Sequence, residues 1–179
     1  MKVEKILLKK VINGDQNAFK TLYDEYSNYA LRVAAAVTKN NSIAADVVQE
    51  TFIRIFNNIH KFDVNRPFKP WFYRILLNEC NRSISKKETT TYISDYIENH
   101  QEISEYDVHS FEEYELLYRA IEDLDEINRI PLILKYLNDF QDGEIAKILD
   151  LNVNTVKSRL YKGKEKLKKI MKSFKKEVN

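Results

Sequence analysis

A chain of 179 residues has room for one large domain or two small ones, and 44% hydrophobic with 31% charged residues is a globular rather than a disordered balance. No apolar run approaches the roughly 20 residues that cross a bilayer, and the lysine-dotted N-terminus lacks the small-residue cleavage site of a signal peptide, so no direct membrane insertion is expected. The net charge is only +2, and the single cysteine, Cys80, excludes an internal disulfide and suits a reducing, cytoplasmic compartment.

With three Gly, three Pro and frequent Lys, Glu, Leu and Ile, helix is favoured throughout. Residues 2–13 read as a short amphipathic helix with Ile6, Leu7 and Val11 on one side. Asn13-Gly14-Asp15 makes a turn, and Asp15 is placed to cap a second helix reaching about Lys39. That helix carries Phe19, Leu22, Tyr23, Tyr26, Leu31 and Val37. Asn40-Asn41-Ser42 breaks it, with Ser42 as the expected cap of a third helix from about Ile43 to His60. Residues 61–69 form a loop, and Pro70 opens a fourth helix to about Ser85.

Periodicity is then lost over residues 86–109, which read as a linker because so long an irregular stretch is unusual inside a domain. Helical spacing returns from Phe111, with Leu116, Leu117, Ala120, Ile121 and Leu124. A further helix covers roughly Glu126–Asn138, where Pro131 is tolerable only near the first turn. Two more helices, Asp142–Leu149 and Val153–Phe174, complete an all-α fold of two small helical domains. The first is expected over residues 1–85, an acidic flexible linker over 86–110, and the second, ending in a helix-turn-helix, over 111–179. Charge follows the same division. Residues 1–85 hold 13 Lys/Arg against 8 Asp/Glu, residues 86–115 hold 2 against 9, and residues 116–179 hold 14 against 10. Ten of those last basic residues lie between Lys157 and Lys176. A solvated helix face explains one basic run, but not an acidic segment between two basic ones.

The most specific local pattern runs from Asp142 to Lys162. Ile145, Ala146, Ile148 and Leu149 line one helix, with Ala146 small enough for a close crossing. Asp150-Leu151-Asn152 makes a sharp turn with Asn152 as a cap, and Val156 and Leu160 pack back. The outward residues, Asn154, Thr155, Lys157, Ser158, Arg159, Tyr161 and Lys162, suit a recognition helix in the major groove, where hydroxyls, amides and cations reach phosphates and base edges. An ordinary helical hairpin with a basic outer face is the competing reading.

A second pattern is Asn65-Arg66-Pro67-Phe68-Lys69-Pro70-Trp71-Phe72-Tyr73-Arg74. On a helix, Phe72, Ile75, Leu76 and Cys80 share a buried side, while Trp71, Arg74, Asn78 and Arg82 gather opposite. Rings on which bases stack, interleaved with cations that track the backbone, are what a single-strand binder needs. Residue by residue, Trp71 as a core anchor and Arg74 as a surface charge remain open. Cys80 reads as a small buried hydrophobe rather than a nucleophile. In the third helix, Asp46, Gln49, Glu50, Ile53 and Asn57 form an exposed stripe against inward Val48, Phe52, Ile55 and Ile59. It is either a protein-binding surface or a solvated face.

Taken together, these segments resemble the extracytoplasmic-function sigma factors over about residues 10–85 and 111–172. The resemblance implies that Asp46, Gln49 and Glu50, within Asp46-Val47-Val48-Gln49-Glu50-Thr51-Phe52, dock on the beta-prime clamp of core RNA polymerase, with Ile53 and Asn57 in the same stripe. It implies that Asn65, Arg66, Lys69, Trp71, Arg74, Asn78 and Arg82 melt and hold the minus-ten element as single strands. Asn154, Thr155, Lys157, Ser158, Arg159, Tyr161 and Lys162 would then read duplex minus-thirty-five DNA. Expected partners are core polymerase through its beta-prime and beta subunits, promoter DNA and an anti-sigma factor. Departures are Asn154 where the family often has Gly, Gln141-Asp142-Gly143 in place of a Ser cap, and Asp125 where Pro is common.

The competing function is a free-standing helix-turn-helix regulator that never docks on polymerase. An enzyme is not expected. His60, His100 and His109 are scattered, and there is no Cys/His cluster or Gly-rich phosphate loop, so no catalytic residue, metal or cofactor is assigned.

Overall fold

Asp15 closes the turn after the first helix and begins the second: its carboxylate accepts from the backbone N–H groups of Asn17 and Ala18 at 3.0 and 3.1 Å. The computed structural model describes residues 2–90, 120–121 and 123–177. In chain order these form α1 (Lys2–Ile12), α2 (Gln16–Thr38), α3 (Asn41–Asn58), a 3-10 turn (Ile59–Lys61), α4 (Phe68–Thr90), α5 (Glu126–Tyr136), α6 (Asp142–Leu149) and α7 (Val153–Glu177). No strand occurs among the described residues, and the fold is all-α. The chain divides into two compact units, Met1–Ile93 and Ser94–Asn179.

In the first unit α2, α3 and α4 pack on one another, and α1 packs against α2. Their core is aromatic. Phe72 is fully buried, with ring centroids 5.0 Å from Tyr26, 5.4 Å from Phe52 and 5.3 Å from Tyr73. Leu22, Val33, Ile55, Leu76 and Cys80 are buried in the same unit. Burial, reinforced by the nearby Tyr29 phenol, pushes the Tyr73 hydroxyl above its ordinary range.

Several boundaries differ from those the sequence predicts. The cap of α3 is Asn40, whose side chain accepts from Ile43 N–H at 2.9 Å, so Ser42 lies within the first turn. Asn40 holds the extended backbone a cap requires, and starting the helix there lets Ala44 reach full burial. Helix α4 starts at Phe68 because that ring is buried against Tyr26 and Phe62. Pro70 is therefore its third residue, still within the turn whose N–H groups lack intrahelical partners. The helix continues through residues 86–90, which the sequence assigns to the linker. The remainder of the predicted linker, together with Phe111, Leu116 and Leu117, lies outside the described residues. On α1 Leu8 and Val11 are buried, while Ile6 is 60% exposed.

In the second unit α5 and α6 both pack on α7. Ala120, Leu124, Ile130, Ile133, Leu134, Phe140, Ile145, Val156 and Leu160 are buried there. Pro131 is the sixth residue of α5 rather than a first-turn residue. The bond it cannot make is to the carbonyl of Ile127, a residue 58% exposed, where water can substitute. The α6–α7 turn is built as predicted. Asp150 takes the left-handed conformation (φ 55°), Leu151 N–H bonds Ala146 O at 2.9 Å, and the Asn152 side chain accepts from Thr155 N–H at 2.7 Å. At the other end of α6, the backbone N–H of Gln141 donates to Glu144 Oε2 at 2.9 Å, half of a capping box.

Gly163 marks a close approach that the sequence reading passes over. A Cβ at this position would stand 2.8 Å from Leu132 Cδ1 and 3.2 Å from the Asn128 carbonyl oxygen, because α5 crosses α7 there. Gly163→Val is expected to destabilise the second unit by about 2 kcal/mol through overpacking. Urea denaturation followed by circular dichroism measures this, and an unchanged transition would contradict the close crossing.

Candidate nucleic-acid interface

Three surfaces carry the residues singled out by the sequence. On α3, Asp46, Gln49, Glu50, Ile53 and Asn57 are all exposed, and Val48, Phe52, Ile55 and Ile59 are buried, as the periodicity requires. Between this stripe and α2 runs an apolar groove lined by Phe19, Tyr23, Leu31, Phe52 and Phe56. Tyr23 is 44% and Leu31 41% exposed. Phe56, 56% exposed and stacked edge-on against Phe19 at 5.1 Å, was not singled out at all. Small alanines (Ala30, Ala34 and Ala36) take much of the buried side of α2, leaving those larger residues for its rim.

On α4 the predicted face forms. Arg74, Asn78 and Arg82 are exposed, and Trp71 is half-buried beside them. The indole leans on Phe62 at 4.8 Å and on Phe68 at 5.7 Å, so Trp71 is both a packing residue and a partly open ring. Asn81 and Ser85 fall on the same side of the helix. The preceding loop presents Asn65 and Arg66, both exposed. Asp63 shapes that loop by accepting from Asn65 N–H at 2.9 Å and lying 3.7 Å from Arg66 Nε. Lys69 is half-buried, and helical periodicity puts it on a different side of α4 from Trp71 and Arg74.

On α7, Asn154, Lys157, Ser158, Tyr161 and Lys162 are exposed, while Thr155 and Arg159 are half-buried. Val156 and Leu160 turn inward against α6, which aims the polar residues at solvent. A shallow hollow lined by Asn152, Thr155, Ser158, Arg159 and Lys162 also takes in Asp125 and Ile127 from around the start of α5, and Lys166 and Lys169 from further along α7. Asp125 caps α5 and accepts from Lys166 Nζ at 2.6 Å and from Asn128 Nδ2 at 2.6 Å. The Lys166 hydrogen bond is the main reason its carboxyl is held below the usual carboxylate range.

Among the described residues no group of three or more His, Cys, Asp or Glu is arranged to hold a metal ion, and Cys80 is buried. None of the described helices is long and apolar enough to cross a membrane.

The chain is similar to known proteins over nearly its whole length. Residues 22–90 match the model of sigma-70 region 2, and residues 114–167 that of sigma-70 region 4. The α3 and α4 residues named above fall in the first range, and the α7 residues Asn154–Lys162 in the second. The ECF RNA polymerase sigma factor SigW of Bacillus subtilis is 32% identical over 174 residues, covering 90% of this chain and 93% of the relative. The ECF RNA polymerase sigma-E factor of Escherichia coli K12 is 29% identical over 174 residues, covering 90% and 91%. In fold the chain is similar to CnrH in complex with the cytosolic domain of CnrY, with a TM-score of 0.74, 22% identity and coverage of 94% and 97%. It is also similar to the sigma factor RpoE of Bartonella quintana in complex with the anti-sigma factor NepR, with a TM-score of 0.68, 21% identity and coverage of 86% and 96%. Through this likeness in sequence and fold, the chain belongs to the ECF RNA polymerase sigma factors and is an alternative sigma factor, a transcription initiation factor.

Proposed function

We propose that this sigma factor docks on core RNA polymerase through α3, holds the unpaired minus-ten strand on α4 and reads the minus-thirty-five duplex with α7. Residues 1–85 and 111–179 act as the two working domains, and residues 86–110, the first five of which continue α4, as the acidic connector between them. The observation that carries the reading is the single solvent face of α4 on which Trp71, Arg74, Asn78 and Arg82 gather. A half-buried ring with three polar or cationic neighbours can stack an unstacked base on its open part and screen the phosphates. The α3 stripe combines two carboxylates with Ile53, 45% exposed, and borders the groove of Tyr23, Leu31 and Phe56. Exposed apolar residues beside acids suit a partner that is apolar at its centre and basic at its rim.

The protein works in the cytoplasm without a cofactor, a metal or a catalytic step of its own, and an anti-sigma factor restrains it by covering these surfaces. RpoE, which shares the fold, is bound by the anti-sigma factor NepR, and that supports the last point. Transcription from a promoter library by core polymerase, with and without the full chain, tests the whole reading. Enrichment of a specific promoter class together with retention of core polymerase on the tagged chain is the expected result. Absence of core association would instead indicate a free-standing regulator.

For the duplex contact, Lys157→Ala is expected to weaken binding uniformly across sequences. It should also lower the slope of log affinity against log salt by about one, the loss of a single phosphate contact. Titration of a promoter duplex at several salt concentrations measures it, and an unchanged slope would remove Lys157 from the interface.

A further inference from the structure

One buried charge belongs to neither surface. Glu79 is 4% exposed on the inner side of α4, and a carboxylate withdrawn from water is costly unless cations surround it. Its two oxygens serve different partners. Oε1 lies 2.7 Å from Arg54 Nε on α3, and Oε2 lies 3.7 Å from Arg82 Nη1 on α4. The same Arg54 Nε lies 3.3 Å from Glu50 Oε1. The four charges therefore alternate in sign along a continuous row, Glu50, Arg54, Glu79 and Arg82. The row begins on the α3 stripe and ends on the strand-facing side of α4.

We propose that Glu79 is a positioning residue that couples the α3 stripe to the α4 face, an inference resting on the docking and strand-binding roles given above. Arg54 divides its charge between Glu50 and Glu79. A cationic group of a partner that engages Glu50 draws that carboxylate away, and Arg54 then turns wholly to Glu79. Glu79 in turn gives up its hold on Arg82. That hold is the loosest contact of the row and involves a side chain 50% exposed, so Arg82 is the member free to swing toward a phosphate. Docking at one surface thereby raises the cationic strength of the other, with no change in backbone. The sign of the coupling follows from the alternation of charge: removing the first anion strengthens the second pair and weakens the third.

Glu50 is 48% exposed, so its carboxylate can be removed without placing the fold at risk. The probe is a short fluorescein-labelled oligodeoxynucleotide pool of random sequence, titrated with the full chain at low salt. Glu50→Gln, which imitates an engaged Glu50, is expected to tighten binding about threefold, the scale of a partly exposed ion pair. The gain is expected to vanish in the Glu50→Gln/Arg82→Gln double variant. Asp46→Asn removes the same charge from the stripe without touching Arg54, and is expected to change binding by much less. An equal gain from Asp46→Asn, a gain that survives Arg82→Gln, or no gain from Glu50→Gln would each overturn the coupling. If Trp71→Ala and Arg74→Ala also leave oligonucleotide binding unchanged, the strand-binding role of α4 falls with it. If those two variants weaken binding and Glu50→Gln does nothing, only the coupling falls.

Discussion

Phe72→Ala is expected to unfold the first unit at urea concentrations where the second remains folded, with a loss of about 3–5 kcal/mol. The ring is fully buried and touches aromatic residues from both other core helices, Tyr26 on α2 and Phe52 on α3, besides Phe68 at 6.0 Å on α4 itself. Truncation removes a side chain that α2, α3 and α4 all share. The cavity has no simple means of collapse, because its walls are rings held by several neighbours each. A loss of this size is a large fraction of the stability of a small helical domain. The measurement is unusually direct because Trp71 is the only tryptophan in the chain and rests on Phe62 and Phe68. Its fluorescence reports the first unit alone, whereas circular dichroism reports helix in both. The fluorescence transition should move to much lower urea while part of the helical signal keeps its midpoint. A fluorescence midpoint within experimental error of the parent would show that the aromatic cluster does not hold the unit together.

The second large effect is expected at the strand face. Arg74→Ala should reduce open-complex formation about tenfold, the scale of one stacking or cationic contact to a flipped or unpaired base, while core polymerase binding stays within about twofold. Permanganate reactivity of the melted strand reads the first quantity, and competition for core polymerase reads the second. Trp71→Ala should do at least as much damage, but it also removes the ring that covers Phe62 and Phe68. Trp71→Phe is therefore the informative partner, since it keeps an aromatic cover while shrinking the surface offered to a base. Equal losses of core binding and of melting in Arg74→Ala would detach this face from the single strand.

How much of this was legible beforehand depends on the range of the interaction involved. The caps Asp15 and Asn152 follow from residues two or three positions apart. The bounds of α6 follow from the periodicity of Ile145, Ala146, Ile148 and Leu149, and the sides of α3 and α4 from the same rule. A misassigned cap such as Ser42 for Asn40 is an error of two residues between two competent cap residues. Burial is harder to read. Tyr23, Leu31 and Phe56 are apolar enough for the core yet stand at a rim, because alanines already fill the contact between the helices. Hydrophobic patterning says that a face is apolar, and the neighbouring helix decides which members of it are covered.

The sequence by itself therefore determined the described helices in outline, the caps Asp15 and Asn152, the helix-turn-helix and the polar face of α4, since all of these depend on spacing along a single helix. Tertiary structure alone decided that Gly163 permits α5 to cross α7, and that Asp125 meets Lys166 across 41 residues of chain. It alone decided that Glu79 is buried between Arg54 and Arg82. Each of these requires knowing which residues from distant parts of the chain are brought within a few ångströms. That is set by how whole helices pack rather than by any local preference of the residues concerned.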